Sequence, residues 1–217
     1  MGFALKLVQP EGEQALEAFL LRIPGWSEER YFAEAPDMAF VEFEDGDLVM
    51  HAPVSIRHQQ LTQFLALLLR AYVRQKKLGD VLCGPAVLRL RPGLNYEPDI
   101  FVIPAGQLDR LEPHCFSGTP SLVVEIASPA TRQHDMKTKA VAYRKHGVPE
   151  YWVVDPGIKT LFQHLPAADP HAPYNVTPYT QGPVGAEAIP GFWIEAHWLW
   201  EDPLPEELSC LEHISGR

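Results

Sequence analysis

The feature that most constrains the fold of this chain is a pair of apolar segments that each carry one carboxylate. The first reads EPDIFVIP and contains Asp99, and the second reads SLVVEIASP and contains Glu125. Both segments alternate as β-strands do, so that Asp99 falls on the face opposite Ile100 and Val102. An ionised carboxylate in an apolar strand is costly unless a cation, a metal or hydrogen bonds compensate it. The pattern therefore predicts two strands that share a polar site.

A helix is predicted after the second of these strands. The run over residues 134–146 has no Gly or Pro and is followed by Gly147, which is typical of the position after a helix C-terminus. Lys139 lies beside the predicted buried stripe of this helix, one turn after Asp135. The lysine is thus placed to meet the two strand carboxylates at the strand ends.

Each of these residues also has a purely structural interpretation. Strand-end carboxylates often bond to backbone groups, although two on successive strands favour a metal site for Asp99 and Glu125. Lys139 and Asp135 have the spacing of an ordinary helix ion pair, worth about 0.2–0.5 kcal/mol, and this role is compatible with a functional one. Asp155 is interpreted either as a turn former next to a proline or as a catalytic acid.

Other elements are marked by local patterns. The segment AFVEFEDGDLVMHAP predicts a hairpin that turns at Asp45 and Gly46. The run over residues 55–78 predicts a helix whose inward stripe begins with His58, and a histidine on such a stripe is more often a core residue than a ligand or base. Further predicted elements are helices over 11–22 and after Ser27, strands over 81–90, 160–165, 174–180 and 192–195, and a loop over 106–120.

Taken in order, these motifs resemble those of the Uma2 family, whose members are restriction-endonuclease-like bacterial proteins of the PD-(D/E)XK nuclease superfamily. The resemblance runs from about residue 40 to 155 and, more weakly, to the PGF at 190–192. No single motif is specific, whereas their order and spacing are. The matching features are Asp99 in EPDIFV, Glu125 in VVEIASP, Asp135 followed by Lys139 and Tyr143, and the segment GVPEYWVVDP.

The resemblance implies a nuclease core with a divalent metal ion. In such a core Asp99 and Glu125 hold the ion together with the backbone carbonyl of Ile126. Oxygen ligands of this kind suit hard cations, so that Mg²⁺ or Mn²⁺ is the expected cofactor.

The resemblance also identifies the remaining candidate catalytic residues. The superfamily places a lysine two residues after the strand glutamate, where this chain has Ala127. The matching residue is Lys139 on the following helix, with Lys137 in reserve. Glu42 matches the glutamate of the family's hairpin, and His58 matches the histidine that follows it. We expect the two strand carboxylates and the lysine amine to converge in one water-accessible cleft.

Composition limits the class of protein. Cys83, Cys115 and Cys210 are far apart and form no CxxC pair, which argues against a structural zinc site and a disulfide framework and suits a reducing cytoplasm. No basic segment precedes an apolar run near the amino terminus, and no apolar run is long enough to cross a bilayer. We therefore expect a cytoplasmic protein without membrane contact.

The expected fold class is α/β, with a restriction-endonuclease-like central mixed sheet flanked by helices and a C-terminal β extension. We divide the chain into an N-terminal helical segment (1–36), a restriction-endonuclease-like domain (37–200) and an acidic C-terminal tail (201–217). Trp193, Trp198 and Trp200 lie near an end that has few elements to cover them. Since exposed apolar patches usually mark interfaces, they predict a homodimer.

The expected function is hydrolysis of DNA phosphodiester bonds by a metal-dependent endonuclease. A formal net charge of −10 opposes general attraction to nucleic acid, so a local basic patch or a bound metal has to overcome it. The alternative is a catalytically degenerate nuclease fold that acts as a dimeric binding or scaffold protein. Ala127 and the acidic surface favour that alternative.

Overall fold

The computed structural model describes residues 8–9, 12–13, 20–34 and 41–216. Its strands are β1 (Val8–Gln9), β2 (Gly12–Glu13), β3 (Leu20–Pro24), β4 (Val41–Glu44), β5 (Asp47–His51), β6 (Gly79–Cys83), β7 (Val87–Arg91), β8 (Leu94–Tyr96), β9 (Ile100–Pro104), β10 (Cys115–Phe116), β11 (Leu122–Ile126), β12 (Tyr151–Asp155), β13 (Thr160–Pro166), β14 (Tyr174–Tyr179), β15 (Pro183–Gly185) and β16 (Trp193–Glu195). Its α-helices are α1 (Glu28–Glu34), α2 (Ile56–Gln75), α3 (Ala140–Lys145) and α4 (Glu207–Ser215). Shorter helical turns are 3-10 turns at Ala105–Arg110 and Ala196–Trp200 and a π-helical turn at His134–Lys139. Within these residues no helix is both long and apolar enough to cross a membrane.

Two large mixed sheets form the framework of the described residues. The central sheet has the order β14-β13-β12-β11-β9-β6, in which β11 and β12 are parallel and the other neighbours are antiparallel. The second sheet has the order β10-β7-β8-β4-β5-β3, in which β10 and β7 are parallel. The α/β class with a mixed sheet flanked by helices is confirmed. The sequence predicted one central sheet, and the structure has a second large sheet beside it. Strands β13 and β14 supply the expected C-terminal β extension.

The prediction of one strand over residues 81–90 is wrong, and this error hid the second sheet. Strand β6 ends at Cys83 in the central sheet, and β7 begins at Val87 in the second sheet. Pro85 has no backbone N–H to donate to a ladder, so the chain turns at Gly84 and Pro85 and changes sheets.

Helix α2 covers one face of the central sheet. The stripe predicted from the sequence, from His58 to Tyr72, is buried, and its apolar members pack with the side chains of Ile100 and Val124. Ser55 begins the helix, since its hydroxyl accepts a hydrogen bond from the backbone N–H of His58 at 3.1 Å. The helix ends at Gln75 rather than at residue 78.

The opposite face of the central sheet packs against both α3 and the second sheet. Tyr143 of α3 and Tyr96 of β8 share one core with Val123 and Phe101 of the central strands. Glu125 lies on the same face of β11 as Val123, because alternate residues of a strand share a face. Its carboxylate is therefore enclosed between the two sheets and α3.

The predicted hairpin is confirmed as β4 and β5. Its turn residues Asp45 and Gly46 have φ of 48° and 100°, the positive values that a type I′ turn requires at both positions. Val41 and Phe43 of β4 face a small core around Tyr31 of α1. The alternate residues of β4, both glutamates, consequently face the central sheet.

The N-terminal helix predicted over residues 11–22 is wrong wherever that stretch is described. Gly12–Glu13 and Leu20–Pro24 are strands. Strand β3 pairs with β5 in the second sheet, so its backbone N–H and C=O groups bond to β5 instead of to each other as in a helix. Residues 11 and 14–19 lie outside the described part of the chain. The second predicted helix is confirmed as α1, with the Ser27 hydroxyl accepting from the N–H of Arg30 at 3.2 Å. The range 1–36 is accordingly not wholly helical.

The tryptophans near the C-terminus are packed within the molecule. Trp193 and Trp198 are 9% and 8% exposed, and α4 covers them with Cys210 and Ile214. The two tryptophans therefore belong to the core, and they do not form the exposed apolar patch on which the predicted dimer interface was based. Self-association stays a prediction that needs another argument.

Candidate active site

The buried amine of Lys139 is the centre of an acidic cluster. Its Nζ lies 2.7 Å from Oε1 of Glu125, 2.7 Å from Oε1 of Glu42 and 3.8 Å from Oδ1 of Asp135. All four side chains are less than 8% exposed. Three carboxylates thus surround one ammonium group.

The charge balance of the cluster shifts the pKa values of Lys139, Glu125 and Asp135. Burial alone would lower the pKa of Lys139, but the attraction of Glu125, Glu42 and Asp135 raises it well above its usual value. Burial raises the pKa of Glu125, and Asp99 and the other carboxylates push it in the same direction against the effect of Lys139. Burial likewise raises the pKa of Asp135, to about 6. The lysine therefore stays protonated in a site that holds more acid than it can neutralise.

Asp99 lies directly before β9 and faces Glu125. Ile100 pairs with Val124 in the antiparallel ladder, which places the preceding Asp99 opposite the following Glu125. The backbone N–H of Asp99 donates to Oε2 of Glu125 at 3.3 Å, and the backbone N–H of Ile126 donates to Oδ2 of Asp99 at 2.7 Å. The side chain of Asp99 is 21% exposed, so it is the solvent-accessible acid of the pair.

His58 reaches Asp99 from the start of α2. Its Nε2 lies 3.1 Å from Oδ2 of Asp99, and its Nδ1 lies 3.5 Å from the hydroxyl of Thr62. A histidine that the sequence alone assigns to the core is therefore buried and also bonded to a candidate metal ligand. It holds the carboxylate of Asp99 against the strand.

A π-helical turn carries the lysine into the cluster. His134, Asp135 and Lys139 are all buried in this turn, whereas Lys137 is exposed and does not line the site. A π-turn adds a residue to one helical turn and so rotates the side chains that follow, a distortion often found at functional sites. The hydroxyl of Tyr143, one turn later, donates to Oε1 of Glu125 at 3.2 Å.

The second sheet contributes acids that the sequence analysis missed or assigned only by resemblance. Glu42 and Glu44 are alternate residues of β4, and Nε2 of His134 lies 3.1 Å from Oε1 of Glu44. Burial would raise the pKa of Glu44, but His134 and Arg22 lower it to about 2. Glu44 could have been found from its spacing of two residues from Glu42, because alternate residues of a strand share a face. No local sequence pattern marked His134 as a site residue.

Asp155 acts as a turn former in this structure. Its Oδ1 accepts hydrogen bonds from the backbone N–H groups of Gly157 and Ile158, at 3.0 and 3.3 Å, and its Oδ2 pairs with Arg132. These contacts fit the structural interpretation of this residue.

One cavity of about 940 Å³ joins these groups. Its lining includes the five side chains singled out from the sequence, which are Glu42, His58, Asp99, Glu125 and Lys139. The structure therefore brings the two carboxylates and the amine together in one cleft, and it separates Lys137 from them.

The donor atoms in this cleft suit a hard divalent cation. No group of three or more His, Cys, Asp or Glu side chains in the described residues is arranged to hold a metal ion. The set formed by Asp99, Glu125 and the carbonyl of Ile126 contains only two such side chains, and Mg²⁺ commonly keeps several waters beside one or two carboxylates. The donors are all oxygen atoms, and the surplus of acid over ammonium favours added positive charge.

Comparison with known proteins places the chain among nuclease-like proteins. Residues 24–197 match the family model described as "Uma2: Putative restriction endonuclease". Among solved structures, a protein described as a putative nuclease belonging to DUF820, from Anabaena variabilis ATCC 29413, is similar with a TM-score of 0.62 and 17% sequence identity, over 74% of this chain and 89% of that chain. Identity at this level shows a shared fold alone. No curated protein matches the chain.

Proposed function

This chain belongs to the Uma2 family, described as putative restriction endonucleases, and we propose that it is a divalent-metal-dependent endonuclease that hydrolyses DNA phosphodiester bonds. One observation carries the proposal. Asp99 and Glu125 face each other on neighbouring strands, and the amine of Lys139 lies 2.7 Å from Glu125 in the same cavity. Two carboxylates on neighbouring strand segments, with a lysine amine from the following helical turn beside them, are the arrangement that this chemistry needs.

The first role of the site is to hold the cation. Asp99, Glu125 and the backbone carbonyl of Ile126 would hold Mg²⁺ or Mn²⁺. When bound, such an ion polarises a phosphoryl oxygen and lowers the pKa of water. His58 keeps Asp99 in place through Oδ2, and the N–H of Ile126 donates to the same oxygen.

The second role belongs to Lys139. Because its pKa is raised, the residue acts as a cation and not as a general base. In this proposal its ammonium group orients the attacking water or stabilises the negative charge that develops on the phosphate. Glu42 and Asp135 help to hold the ammonium group in position, at 2.7 and 3.8 Å.

The test is cleavage of supercoiled plasmid DNA in EDTA, Mg²⁺ or Mn²⁺. Cutting is expected only with a metal, and Asp99→Asn and Glu125→Gln are expected to abolish it. Asp109→Asn, at an exposed position outside the cavity, serves as the matched control and should cut as the parent protein does. Cutting retained by either site variant would reject the assignment.

One observation favours a second candidate, a degenerate nuclease fold that binds without cutting. Both oxygens of Glu125 already accept hydrogen bonds, from Lys139 and Tyr143 at Oε1 and from the N–H of Asp99 at Oε2. An internal ion pair of this kind can replace a metal. Absence of both cleavage and metal binding in the plasmid assay and a titration with Mn²⁺ would support this candidate.

Self-association is a separate expectation. The candidate site residues line one cavity of this chain. We retain the homodimer as a prediction, and light scattering at about 10–50 μM protein, a range that detects weak dimers, would test it.

A further inference from the structure

A second cavity extends the candidate active site along helix α2. It has a volume of about 370 Å³ and shares His58 and Asp99 with the first cavity. Beyond them its lining continues with Gln59, Gln63 and Arg70 of α2. The two cavities therefore form one continuous groove. We call the part of it that is formed by the second cavity the α2 groove.

The face that α2 presents to this groove lacks negative charge. The chain has 28 acidic residues, yet α2 has no Asp or Glu over its whole length. Gln59, Gln63 and Arg70 are exposed, and their spacing of four and seven residues places them along one side of the helix. The side of α2 next to the acidic site thus carries the amides of Gln59 and Gln63 and the guanidinium group of Arg70, and no carboxylate.

Arg70 is the cation of the α2 groove. The neighbouring Arg74 takes both oxygens of Asp80, at 2.9 Å each, whereas Nε of Arg70 is 3.9 Å from that carboxylate. The side chain of Arg70 is 54% exposed. Its guanidinium group is consequently available for another anion.

The opposite wall of the groove is a turn without long side chains. It is formed by Cys83, Gly84 and Pro85, and the acids of the lining, Glu97 and Asp99, lie at the end that meets the active site. A nucleic-acid strand that leaves the proposed metal site along this wall therefore meets no carboxylate that would repel its phosphates.

We propose that the α2 groove binds the phosphodiester backbone of the substrate strand on one side of the scissile phosphate. The inference rests on the proposed nuclease function and adds the track that the DNA follows. Gln and Arg side chains are common donors to phosphate oxygens, and such contacts position the nucleic acid without reading its sequence. From Gln59 to Arg70 the helix rises about 16 Å, which corresponds to roughly five nucleotides at an axial rise of about 3.4 Å.

The experiment measures DNA binding separately from cutting. Fluorescence anisotropy with a labelled duplex of about 20 base pairs, in EDTA and at low salt, gives the dissociation constant and its salt dependence without cleavage. Arg70→Ala is expected to weaken binding about three- to tenfold for any sequence and to reduce the salt slope by about one. Gln59→Glu and Gln63→Glu are expected to weaken binding by similar factors, because they place a carboxylate beside phosphates.

Matched controls lie on the same helix and elsewhere on the surface. Gln60→Glu adds the same charge at the next residue of α2, which is exposed but does not line the groove, and Arg110→Ala removes an exposed arginine that lines neither cavity. Both should bind as the parent protein does. Melting temperatures of all five variants should agree, since every altered side chain is exposed.

The outcomes separate this inference from the function on which it rests. A parent protein that cuts DNA, with groove variants that bind no more weakly than their controls, would overturn the groove and leave the nuclease. A parent protein that never cuts but binds DNA through Arg70 would overturn the nuclease and support the groove. Absence of any DNA binding by the parent protein would overturn the groove.

Discussion

At the scale of single residues, the buried Lys139 governs the stability of the acidic cluster. Replacing it by methionine leaves the carboxylates of Glu125, Glu42 and Asp135 without their cation. Unpaired buried charge is costly, so Lys139→Met should lower the free energy of unfolding by about 3–5 kcal/mol near neutral pH in EDTA. Urea denaturation measures this difference. A smaller loss is expected at acidic pH, because the carboxyls then take up protons.

The control for this change is the neighbouring lysine. Lys137→Met makes the same substitution on the exposed side of the same turn and should change the free energy of unfolding by less than about 0.5 kcal/mol. If Lys139→Met proved as mild as Lys137→Met, the ion-pair cluster would not be formed in solution.

Asp135 should make stability depend on pH in the acidic range. Its pKa is about 6 in the folded protein against 3.8 without burial, so the folded state binds more protons than the unfolded state between these values. The free energy of unfolding should therefore fall as pH rises from about 4 to about 6, by on the order of 1–3 kcal/mol. Asp135→Asn should remove that fall, and Asp109→Asn should keep it. Parallel pH profiles of the parent and Asp135→Asn would contradict this prediction.

Glu44 should act in the opposite direction at lower pH. Its pKa is lowered to about 2 from 4.5, so its contribution is complete above about 4.5 and is lost as the pH falls toward 2. Glu44→Gln should therefore lose less stability than the parent on acidification through this range. Unfolding by urea at a series of pH values measures the effect, and an identical acid limb in both proteins would show that Glu44 is not paired.

At the scale of elements, the junction between α2 and β6 depends on one glycine. Gly79 has φ of +148°, and a Cβ there would lie 1.8 Å from the backbone oxygen of Ile103 on β9. Gly79→Ala must therefore displace the pairing of β6 with β9. We expect a loss on the order of 3–5 kcal/mol, or roughly 10 °C in melting temperature for a domain of this size.

Gly106→Ala is the matched control for this change. A Cβ at Gly106 would meet no atom within 4 Å, and the residue lies on an exposed turn. Its melting temperature should stay within about 2 °C of the parent value. Equal melting temperatures for the two variants would mean that β6 does not pair as described.

At the scale of the whole molecule, the two sheets line the candidate site together, since the proposed metal ligands adjoin the central sheet and Glu42 comes from the second sheet. The proposed ligands Asp99 and Glu125 meet only when β9 and β11 are paired, so the proposed Mg²⁺ or Mn²⁺ should stabilise the folded state. At about 100 times the dissociation constant the gain is about 2.7 kcal/mol, which differential scanning fluorimetry detects as a rise in melting temperature. Glu125→Gln should abolish the rise, whereas Asp109→Asn should keep it. Absence of any shift in the parent protein would contradict a metal site.

Several parts of the fold follow from local sequence patterns. The turn at Asp45 and Gly46, the inward stripe of α2 and the strand that contains Glu125 depend on neighbours within a few residues, and all three appear in the structure. The strand predicted around Asp99 also appears, but it begins one residue later, at Ile100. Strand and helix periodicities act at that range. The places where the prediction failed are those where another segment supplies the partner. Residues 20–22, read as helix, became a strand because β5 offered an edge, and Trp193 lost its exposure because α4 covers it.

The sequence by itself determined which strands carry the two carboxylates and which helical segment carries the lysines. Only the tertiary structure decided that Lys139 and not Lys137 enters the cluster, because the π-helical turn sets its direction. Only the tertiary structure brought Glu42 to Lys139 and Glu44 to His134, since the turn at Gly84 and Pro85 creates a second sheet that packs over the central one. The physical reason is range: periodicity records which face a residue occupies, whereas burial and charge compensation depend on segments distant in the chain.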